Sequence, residues 1–129
     1  MDELNRDMNI LIVDDSSSMR RIVTKFLANN GFSNLIEAVD GLTALEAVRN
    51  NTIDLIISDL NMPKMNGLEF LELIKAEEST RKIPFIMLTV EAIQKTMNKA
   101  IAMGVDSYIV KPIAEHVFIE ELMRVLKEQ

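Results

Sequence analysis

The sequence predicts a doubly wound α/β sandwich, in which a five-stranded parallel sheet is covered by helices on both faces. Two observations support this fold class. Short apolar runs of about five residues, the usual length of a buried strand, alternate along the chain with amphipathic segments of helical length. Turn-forming residues separate each run from the next helix, which is the arrangement expected of right-handed βαβ units.

Length, composition and charge limit the class of protein. The 129 residues are enough for one domain, and we assign residues 1–8 to a polar leader and 9–129 to that domain. The net charge of −6 argues against direct nucleic-acid binding, which depends on neutralising phosphates with Lys and Arg. No apolar run approaches the ~20 residues of a membrane span, so we expect a cytoplasmic protein without a membrane partner. The absence of cysteine excludes disulfides and thiolate metal sites.

Five apolar runs, too short for helices, predict the strands. They cover residues 9–13, 35–38, 53–58, 84–88 and 107–110. The third run is rich in β-branched residues and ends at a single carboxylate, Asp59, before Met62-Pro63 and Asn66-Gly67 break the chain. We therefore expect Asp59 at the end of a strand, where it faces a crevice and not the core.

The first two helices are delimited by residues that cap and terminate helices. Ser17 is the predicted N-cap of the first helix, and Asn29-Asn30-Gly31 is predicted to end it. The second helix is expected to follow Asp40-Gly41 and to end at Asn50-Asn51. The inward-facing residues predicted from helical spacing are Met19, Ile22, Val23, Phe26 and Leu27 in the first helix and Leu42, Leu45 and Val48 in the second.

The remaining three helices follow the same pattern. Gly67 is expected to open the third helix, and the charged segment 77–82 forms the loop after it. The fourth helix is predicted over residues 91–103, closed by Gly104, and the fifth over residues 114–127. Their predicted inward-facing residues are Leu68, Leu71 and Ile74 in the third helix and Phe118, Leu122 and Val125 in the fifth.

Polar residues end four of the predicted strands. They are Asp14 and Asp15, Asp59, Thr89 and Lys111. Because the carboxyl ends of parallel strands meet at one edge of the sheet, where such folds bind ligands, these side chains are expected to share one crevice. Three carboxylates there would repel one another with only one lysine to compensate, and oxygen ligands favour Mg²⁺. The sequence therefore predicts a magnesium site.

The same residues suggest a chemistry. We expect Asp15, Asp59 and the backbone carbonyl of Asn61 to hold Mg²⁺, with Asp14 contributing through water. Asp59 can then attack an activated phosphoryl group and form an acyl phosphate. Mg²⁺ and Lys111 would neutralise the phosphoryl oxygens, and Thr89 would donate a hydrogen bond to the product. The Lys111-Pro112 peptide bond is predicted to be cis.

Four segments of the chain resemble the signature segments of response-regulator receiver domains. They are residues 10–15 (ILIVDD), 59–67 (DLNMPKMNG), 89–92 (TVEA) and 108–112 (YIVKP). Each is common alone, but all four in this order and at these separations are highly specific, and the resemblance covers the chain after the leader. It is closest to the stand-alone chemotaxis regulators, and it implies a flavodoxin-like (βα)5 fold with strand order 2-1-3-4-5.

The resemblance implies a function in a two-component phosphorelay. A sensor histidine kinase of the chemotaxis type would phosphorylate Asp59, Thr89 would move toward the phosphoryl group, and Tyr108 would turn inward. The face formed by helix 4, strand 5 and helix 5 would then control a downstream protein, which for a chemotaxis role is the flagellar motor switch. A regulator of this kind is expected to be a monomer. It is not expected to be an enzyme, because it would catalyse only its own phosphorylation and dephosphorylation.

Other functions are weighed against this one. A phosphorelay shuttle would pass the phosphoryl group to a histidine phosphotransferase. A haloacid-dehalogenase-type phosphohydrolase needs a second acid two residues after the nucleophile, where this chain has Asn61. A receiver-like domain that is never phosphorylated would lack part of the set of acids, Thr89 and Lys111. Val90 is bulkier than the small residue usual at its position, and we expect it to narrow access to the phosphoryl group.

Overall fold

The computed structural model describes residues 5–129 as alternating strands and helices. The strands are β1 (Ile10–Val13), β2 (Leu35–Ala38), β3 (Leu55–Ser58), β4 (Phe85–Thr89) and β5 (Ser107–Val110). The helices are α1 (Ser17–Asn29), α2 (Gly41–Asn50), α3 (Gly67–Ala76), α4 (Gln94–Ala102) and α5 (Glu115–Lys127). All strand pairs are parallel and the sheet order is β2-β1-β3-β4-β5, which confirms the predicted fold.

The sheet separates two hydrophobic clusters. Alternate residues of a strand point to opposite faces, so Ile10 and Ile12 of β1 pack with α1 and α5, while Leu11 and Val13 pack with α2 and α3. All four of these residues are buried. Because β1 and β3 are covered on both faces, β1 is wholly apolar and β3 is apolar up to its last residue, Ser58, as is usual for parallel strands of doubly wound sheets.

The N-terminus of α1 differs from the prediction. Ser16, not Ser17, is the N-cap, and its side chain accepts a hydrogen bond from the Met19 N–H. The Ser16 N–H itself donates to Asp14 Oδ1 at 2.9 Å. This side-chain contact starts the helix one residue earlier than capping preference alone suggests.

The start of α4 was predicted three residues too early. Residue 91 is outside the helix because its backbone groups bond elsewhere: the Glu91 N–H donates to Thr89 Oγ1 at 3.3 Å and the Glu91 carbonyl accepts from the Tyr108 hydroxyl at 2.8 Å. The helix instead begins at Gln94 after Ile93, which makes no side-chain cap.

Two residues predicted to face the core lie at the surface. Leu42 is 50% exposed, because α2 buries Gly41, Ala44 and Val48 and so presents a neighbouring stripe to the sheet. Ile22 is also exposed, whereas Val23 and Leu27 carry the buried face of α1. Leu71, Ile74, Phe118, Leu122 and Val125 are buried as predicted.

The first residues of the predicted leader, 1–4, lie outside the described residues. The rest of it contacts the folded body: Arg6 Nε donates to the Asn30 carbonyl at 2.9 Å, and Met8 packs against the α1/α5 side of the core. Among the helices of residues 5–129, none is both long and apolar enough to cross a membrane.

Candidate functional site

The parallel register brings the polar strand ends to one edge of the sheet. Val13 of β1 lies beside Ser58 of β3, and Thr89 at the end of β4 lies beside Val110 of β5. The residues that follow these strand ends therefore meet, and Asp14, Asp15, Asp59, Thr89 and Lys111 lie around one crevice, as the sequence predicted.

Three carboxylates form the centre of this crevice. Oxygen atoms of Asp14, Asp15 and Asp59 all lie within 4.8 Å of one another. Asp14 and Asp59 are buried, whereas Asp15 is exposed at the rim. Such a group offers only hard oxygen donors, two of them shielded from water.

Lys111 is the cation that faces these acids. Its Nζ lies 3.0 Å from Asp14 Oδ2 and 3.9 Å from Asp59 Oδ2, and only 7% of its side chain is exposed. The ammonium group therefore balances one negative charge at close range. The Lys111-Pro112 peptide bond is cis, which confirms that prediction.

The backbone of β3 holds Asp59 in place. Its N–H donates to the Val13 carbonyl at 2.8 Å, and Asp59 Oδ1 accepts from the Leu60 N–H at 2.7 Å. Gly67, at the start of α3, packs so closely that an added Cβ would lie 2.3 Å from the Asp59 carbonyl oxygen. A glycine is required at that position by this approach.

The electrostatic environment of Asp59 disfavours its charge. Burial raises the pKa of the Asp59 carboxyl, and the nearby Asp14 charge raises it further, while hydrogen bonds from Thr89 and Leu60 and the charge of Lys111 oppose the rise. The pKa stays above its ordinary value, so the lysine does not fully compensate the group. A second cation at the acids would complete the compensation.

Thr89 and Tyr108 are linked through the loop after β4. Thr89 is fully buried, and its Oγ1 accepts from the Glu91 N–H, while the Tyr108 hydroxyl donates to the Glu91 carbonyl. Tyr108 is half-buried, and burial raises the pKa of its hydroxyl. The Glu91 backbone thus joins Thr89 to Tyr108, and the Thr89 hydroxyl is also one of the groups that lower the pKa of Asp59.

Asn61 lies on the loop between β3 and α3, two residues after Asp59, and is exposed. The loop is held at both ends: the Gly67 N–H donates to the Leu60 carbonyl at 2.8 Å, and Asn66 caps α3 with Glu69 as its reciprocal partner. Lys64 in this loop has a φ of 66°, a left-handed conformation unusual for a residue other than glycine.

Sequence reasoning missed Arg20 and Glu37. Arg20 Nη1 donates to the Asp14 carbonyl at 2.6 Å, and Arg20 Nε pairs with Glu37 on β2 at 2.9 Å. No short motif signals the pair, since Glu37 lies 23 residues after Asp14 and is brought beside it only by the pairing of β1 with β2. Asp14 therefore has a basic side chain at both of its polar groups: Arg20 binds its backbone carbonyl and Lys111 binds its carboxylate.

The residues present suit a divalent cation. The three clustered carboxylates, with one lysine among them and a raised Asp59 pKa, make an oxygen-only donor set that a small hard cation would stabilise. No unpartnered buried side-chain polar atom occurs in the described part of the chain, so the acids are the feature that points to a ligand.

Known proteins share this sequence and fold. Residues 10–123 match the family described as response regulator receiver domain. Chemotaxis protein CheY-3 of Vibrio cholerae serotype O1 is 43% identical over 124 residues, spanning 96% of this chain and 95% of that protein. Chemotaxis protein CheY of Pseudomonas aeruginosa is 39% identical over 120 residues, spanning 93% and 97%.

Solved structures agree with this assignment. The chemotaxis response regulator CheY4 of Vibrio cholerae superimposes with a TM-score of 0.85 at 34% identity, over 92% of this chain and 98% of that one. The signal receiver domain of a histidine kinase from Syntrophus aciditrophicus has the same TM-score at 29% identity, over 94% and 91%. The chain therefore belongs to the response regulator receiver domain family and is of the CheY type.

Proposed function

We propose that residues 9–129 form a receiver domain that accepts a phosphoryl group on Asp59 from a sensor histidine kinase. The observation that carries this proposal is the clustering of Asp59 with two further acids, Lys111 and Thr89 at one edge of the sheet. A nucleophilic carboxylate, a fixed cation and a hydroxyl donor are the groups that phosphoryl transfer to an aspartate requires.

Asp15, Asp59 and the Asn61 backbone carbonyl would hold Mg²⁺, with Asp14 contributing through water. When bound, Mg²⁺ would neutralise charge on the phosphoryl oxygens. Asp14 is the least available of the acids as a direct ligand, because Oδ1 accepts from the Ser16 N–H and Oδ2 from Lys111. This is consistent with its indirect contribution.

In the transfer step, an Asp59 carboxylate oxygen attacks phosphorus as the P–N bond of the donor phosphohistidine breaks. The electron pair of that bond returns to the imidazole nitrogen. Lys111, fixed against the acids, stabilises the negative charge of the transferred group, and the buried Thr89 hydroxyl donates a hydrogen bond to one of its oxygens. The product is an acyl phosphate on Asp59.

The output proposed for this chain is control of a partner in chemotaxis, through the face formed by α4, β5 and α5. The relatives named as chemotaxis proteins support this role. The face presents exposed Ile93, Ile101 and Val117, and Tyr108 connects it to Thr89 through the Glu91 backbone. A flagellar motor switch protein is the partner that a chemotaxis role implies.

The first test is intact mass after incubation with acetyl phosphate, with and without Mg²⁺. The wild type is expected to gain about 80 Da, one phosphoryl group, only when Mg²⁺ is present, and Asp59→Asn is expected to gain nothing. Asp54→Asn, which removes an exposed aspartate close in sequence, is the matched control and should be modified like the wild type. An adduct that persists in Asp59→Asn would contradict the proposed acceptor.

Val90 supplies a second test of the site. It is 68% exposed and borders an apolar hollow of about 300 Å³ together with Met19, Pro112 and Lys111. Since Lys111 lines the same hollow, Val90→Ala is expected to speed phosphorylation by acetyl phosphate. Equal phosphorylation and dephosphorylation rates in the two proteins would show that Val90 does not limit access.

A phosphorelay shuttle is the second candidate function. The likeness to a receiver domain from a signal transduction histidine kinase supports this role. The two roles predict different partners, so a pull-down with phosphorylated protein against a motor switch protein and a histidine phosphotransferase separates them. Return of the phosphoryl group to the phosphotransferase histidine would establish the shuttle.

A further inference from the structure

We infer that Arg20 is a positioning residue for the metal-binding acids, and that Glu37 anchors it. The inference rests on the proposed Mg²⁺ site and extends it to a residue outside the acid cluster. Arg20 belongs to the first turn of α1, and its guanidinium group reaches back to the loop that carries Asp14 and Asp15.

The need for such a residue comes from Asp15. It is exposed at the rim of the crevice, and across residues 5–129 its carboxylate has no hydrogen-bond or ion-pair partner that would orient it. Asp14, by contrast, is fixed by three hydrogen bonds. Its N–H donates to the Ala38 carbonyl, and its carboxylate accepts from the Ser16 N–H and from Lys111 Nζ. The direction in which Asp15 points therefore depends on the backbone that joins these two acids.

Arg20 holds that backbone. Its Nη1 donates to the Asp14 carbonyl at 2.6 Å. This carbonyl and the Asp15 N–H belong to one planar peptide unit, so fixing the carbonyl direction also fixes where the Asp15 residue begins. The contact is largely shielded from water, since only 16% of the Arg20 side chain is exposed.

Glu37 gives the guanidinium group its orientation. Arg20 Nε lies 2.9 Å from Glu37 Oε1 while Nη1 binds the Asp14 carbonyl, so two donors of one rigid fork have acceptors on neighbouring strand segments. A lysine at this position has a single ammonium group and cannot reproduce the fork. Glu37 is 49% exposed and lies at the edge strand β2, where its removal should leave the core intact.

The sign of the effect on Mg²⁺ distinguishes positioning from simple electrostatics. Loss of a positive charge near three carboxylates would, by Coulomb attraction alone, tighten cation binding. Loss of a positioning contact would weaken it, by roughly tenfold to 100-fold if Arg20 acts like other groups that orient metal ligands. The two explanations therefore predict opposite changes for Arg20→Met.

The experiment is a Mg²⁺ titration of the full chain, followed by amide chemical shifts. Arg20→Met is expected to raise the Kd for Mg²⁺ about tenfold. Arg20→Lys, which keeps the charge and loses the fork, should raise it about threefold or more. Arg21→Met is the matched control, because it removes the same charge from an exposed neighbour, and its Kd should stay within about twofold of the wild type.

A metal-free measurement separates this inference from the proposed function. With EDTA present, the Ser16 N–H that donates to Asp14 is expected to exchange with solvent about tenfold faster in Arg20→Met than in the wild type. The amide of Leu27, in the buried face of α1, should exchange at the same rate in both. Glu37→Ala should shift the Ser16 amide in the same direction by a smaller factor.

Specific results would overturn the inference. An Arg20→Met protein whose Kd is unchanged or lower, an Arg20→Lys protein that binds Mg²⁺ like the wild type, or an unchanged Ser16 exchange rate would each contradict positioning by Arg20. Failure of the wild type to bind Mg²⁺ would instead contradict the proposed function, and the exchange experiment would still decide whether Arg20 orders the loop.

Discussion

At the residue scale, the buried carboxylate of Asp59 lowers the stability of the fold. Its folded-state pKa lies above the ordinary value of 3.8, because burial and Asp14 outweigh Lys111 and the hydrogen bonds. Between pH 3.8 and the folded-state pKa, the Asp59 carboxyl holds more of its proton in the folded protein than in the unfolded chain. Stability therefore falls as the pH rises through this interval and stays lower above it.

We predict that Asp59→Asn raises the free energy of unfolding at pH 7 when EDTA is present. The amide carries no charge, and its oxygen can still accept from the Leu60 N–H that Asp59 Oδ1 now binds. The gain should shrink as the pH falls through the folded-state pKa toward 3.8, and it should be lost below 3.8, where the wild-type carboxyl is protonated in both states. Urea unfolding at several pH values measures it.

Glu46→Gln serves as the control for that prediction, since Glu46 is exposed and the variant removes the same charge. Its free energy of unfolding should change by less than about 0.5 kcal/mol. A wild-type protein that is more stable than Asp59→Asn at pH 7 would show that the carboxylate is adequately compensated without a metal.

Gly67 is a second residue whose identity the site requires. The Cβ of Gly67→Ala would collide with the Asp59 carbonyl and with Leu60, both of them backbone atoms that cannot rotate away. We expect a loss of about 1–3 kcal/mol in unfolding free energy, typical of overpacking. We also expect strongly reduced phosphoryl uptake from acetyl phosphate, because Asp59 is displaced.

Gly104→Ala is the comparison for Gly67→Ala. Gly104 has a φ of +98°, so alanine is strained there, but its nearest non-local neighbour would be the Lys75 side chain at 3.6 Å. The Gly104→Ala variant should be less stable than the wild type, but each folded molecule should still take up a phosphoryl group normally. Normal uptake by Gly67→Ala would mean that the β3–α3 loop adjusts without moving Asp59.

At the scale of elements, the helices are capped unequally. Asp40 caps α2 in a capping box with Thr43, and the pKa of the Asp40 carboxyl is lowered, first by the hydrogen bond from the Thr43 N–H. A lowered pKa stabilises the fold above 3.8 and loses that contribution as the pH falls below it. Asn66 forms a similar box at α3 with Glu69.

We predict that Asp40→Ala loses about 1 kcal/mol of unfolding free energy at pH 7, the usual value of an N-cap. The difference from the wild type should decrease below pH 3.8, as the Asp40 carboxylate is protonated. Asp40→Asn keeps a good capping side chain and should lose much less. Equal losses in the two variants would mean that charge, and not the cap, supplies the stability.

The α4 helix has no side-chain cap, because Ile93 occupies the N-cap position. Ile93→Ser should therefore raise the free energy of unfolding by about 1 kcal/mol, since serine can accept from the first turn. Ile101→Ser replaces another exposed isoleucine within the same helix and offers no cap, so it should not stabilise the protein. Chemical denaturation of both variants makes the comparison.

At the scale of the whole molecule, the unbalanced acids should couple metal binding to folding. Mg²⁺ that binds the folded state and not the unfolded chain stabilises the protein in proportion to the logarithm of its concentration. Addition of about 10 mM Mg²⁺ should thus raise Tm for the wild type more than for Asp59→Asn. Identical shifts in both proteins would show that the cation acts elsewhere on the acidic surface.

The order of elements and the edge that carries the site were predictable because they depend on local pattern. Apolar runs alternating with amphipathic segments require parallel strands joined by crossovers, and parallel strands place Asp14, Asp59, Thr89 and Lys111 at one edge whatever the details of packing. The four polar strand ends are therefore visible without coordinates. The strand order came from resemblance, and the structure confirms it.

Only the tertiary structure decided the finer features, since each depends on groups far apart in the chain. The late start of α4 follows from Tyr108 and Thr89 binding the Glu91 backbone, and the exposed position of Leu42 follows from the stripe that α2 presents to the sheet. The orientation of the Arg20 guanidinium group likewise depends on Glu37, which lies far away in the sequence on β2, the strand that pairs with β1. Local propensity contains no information about such long-range partners.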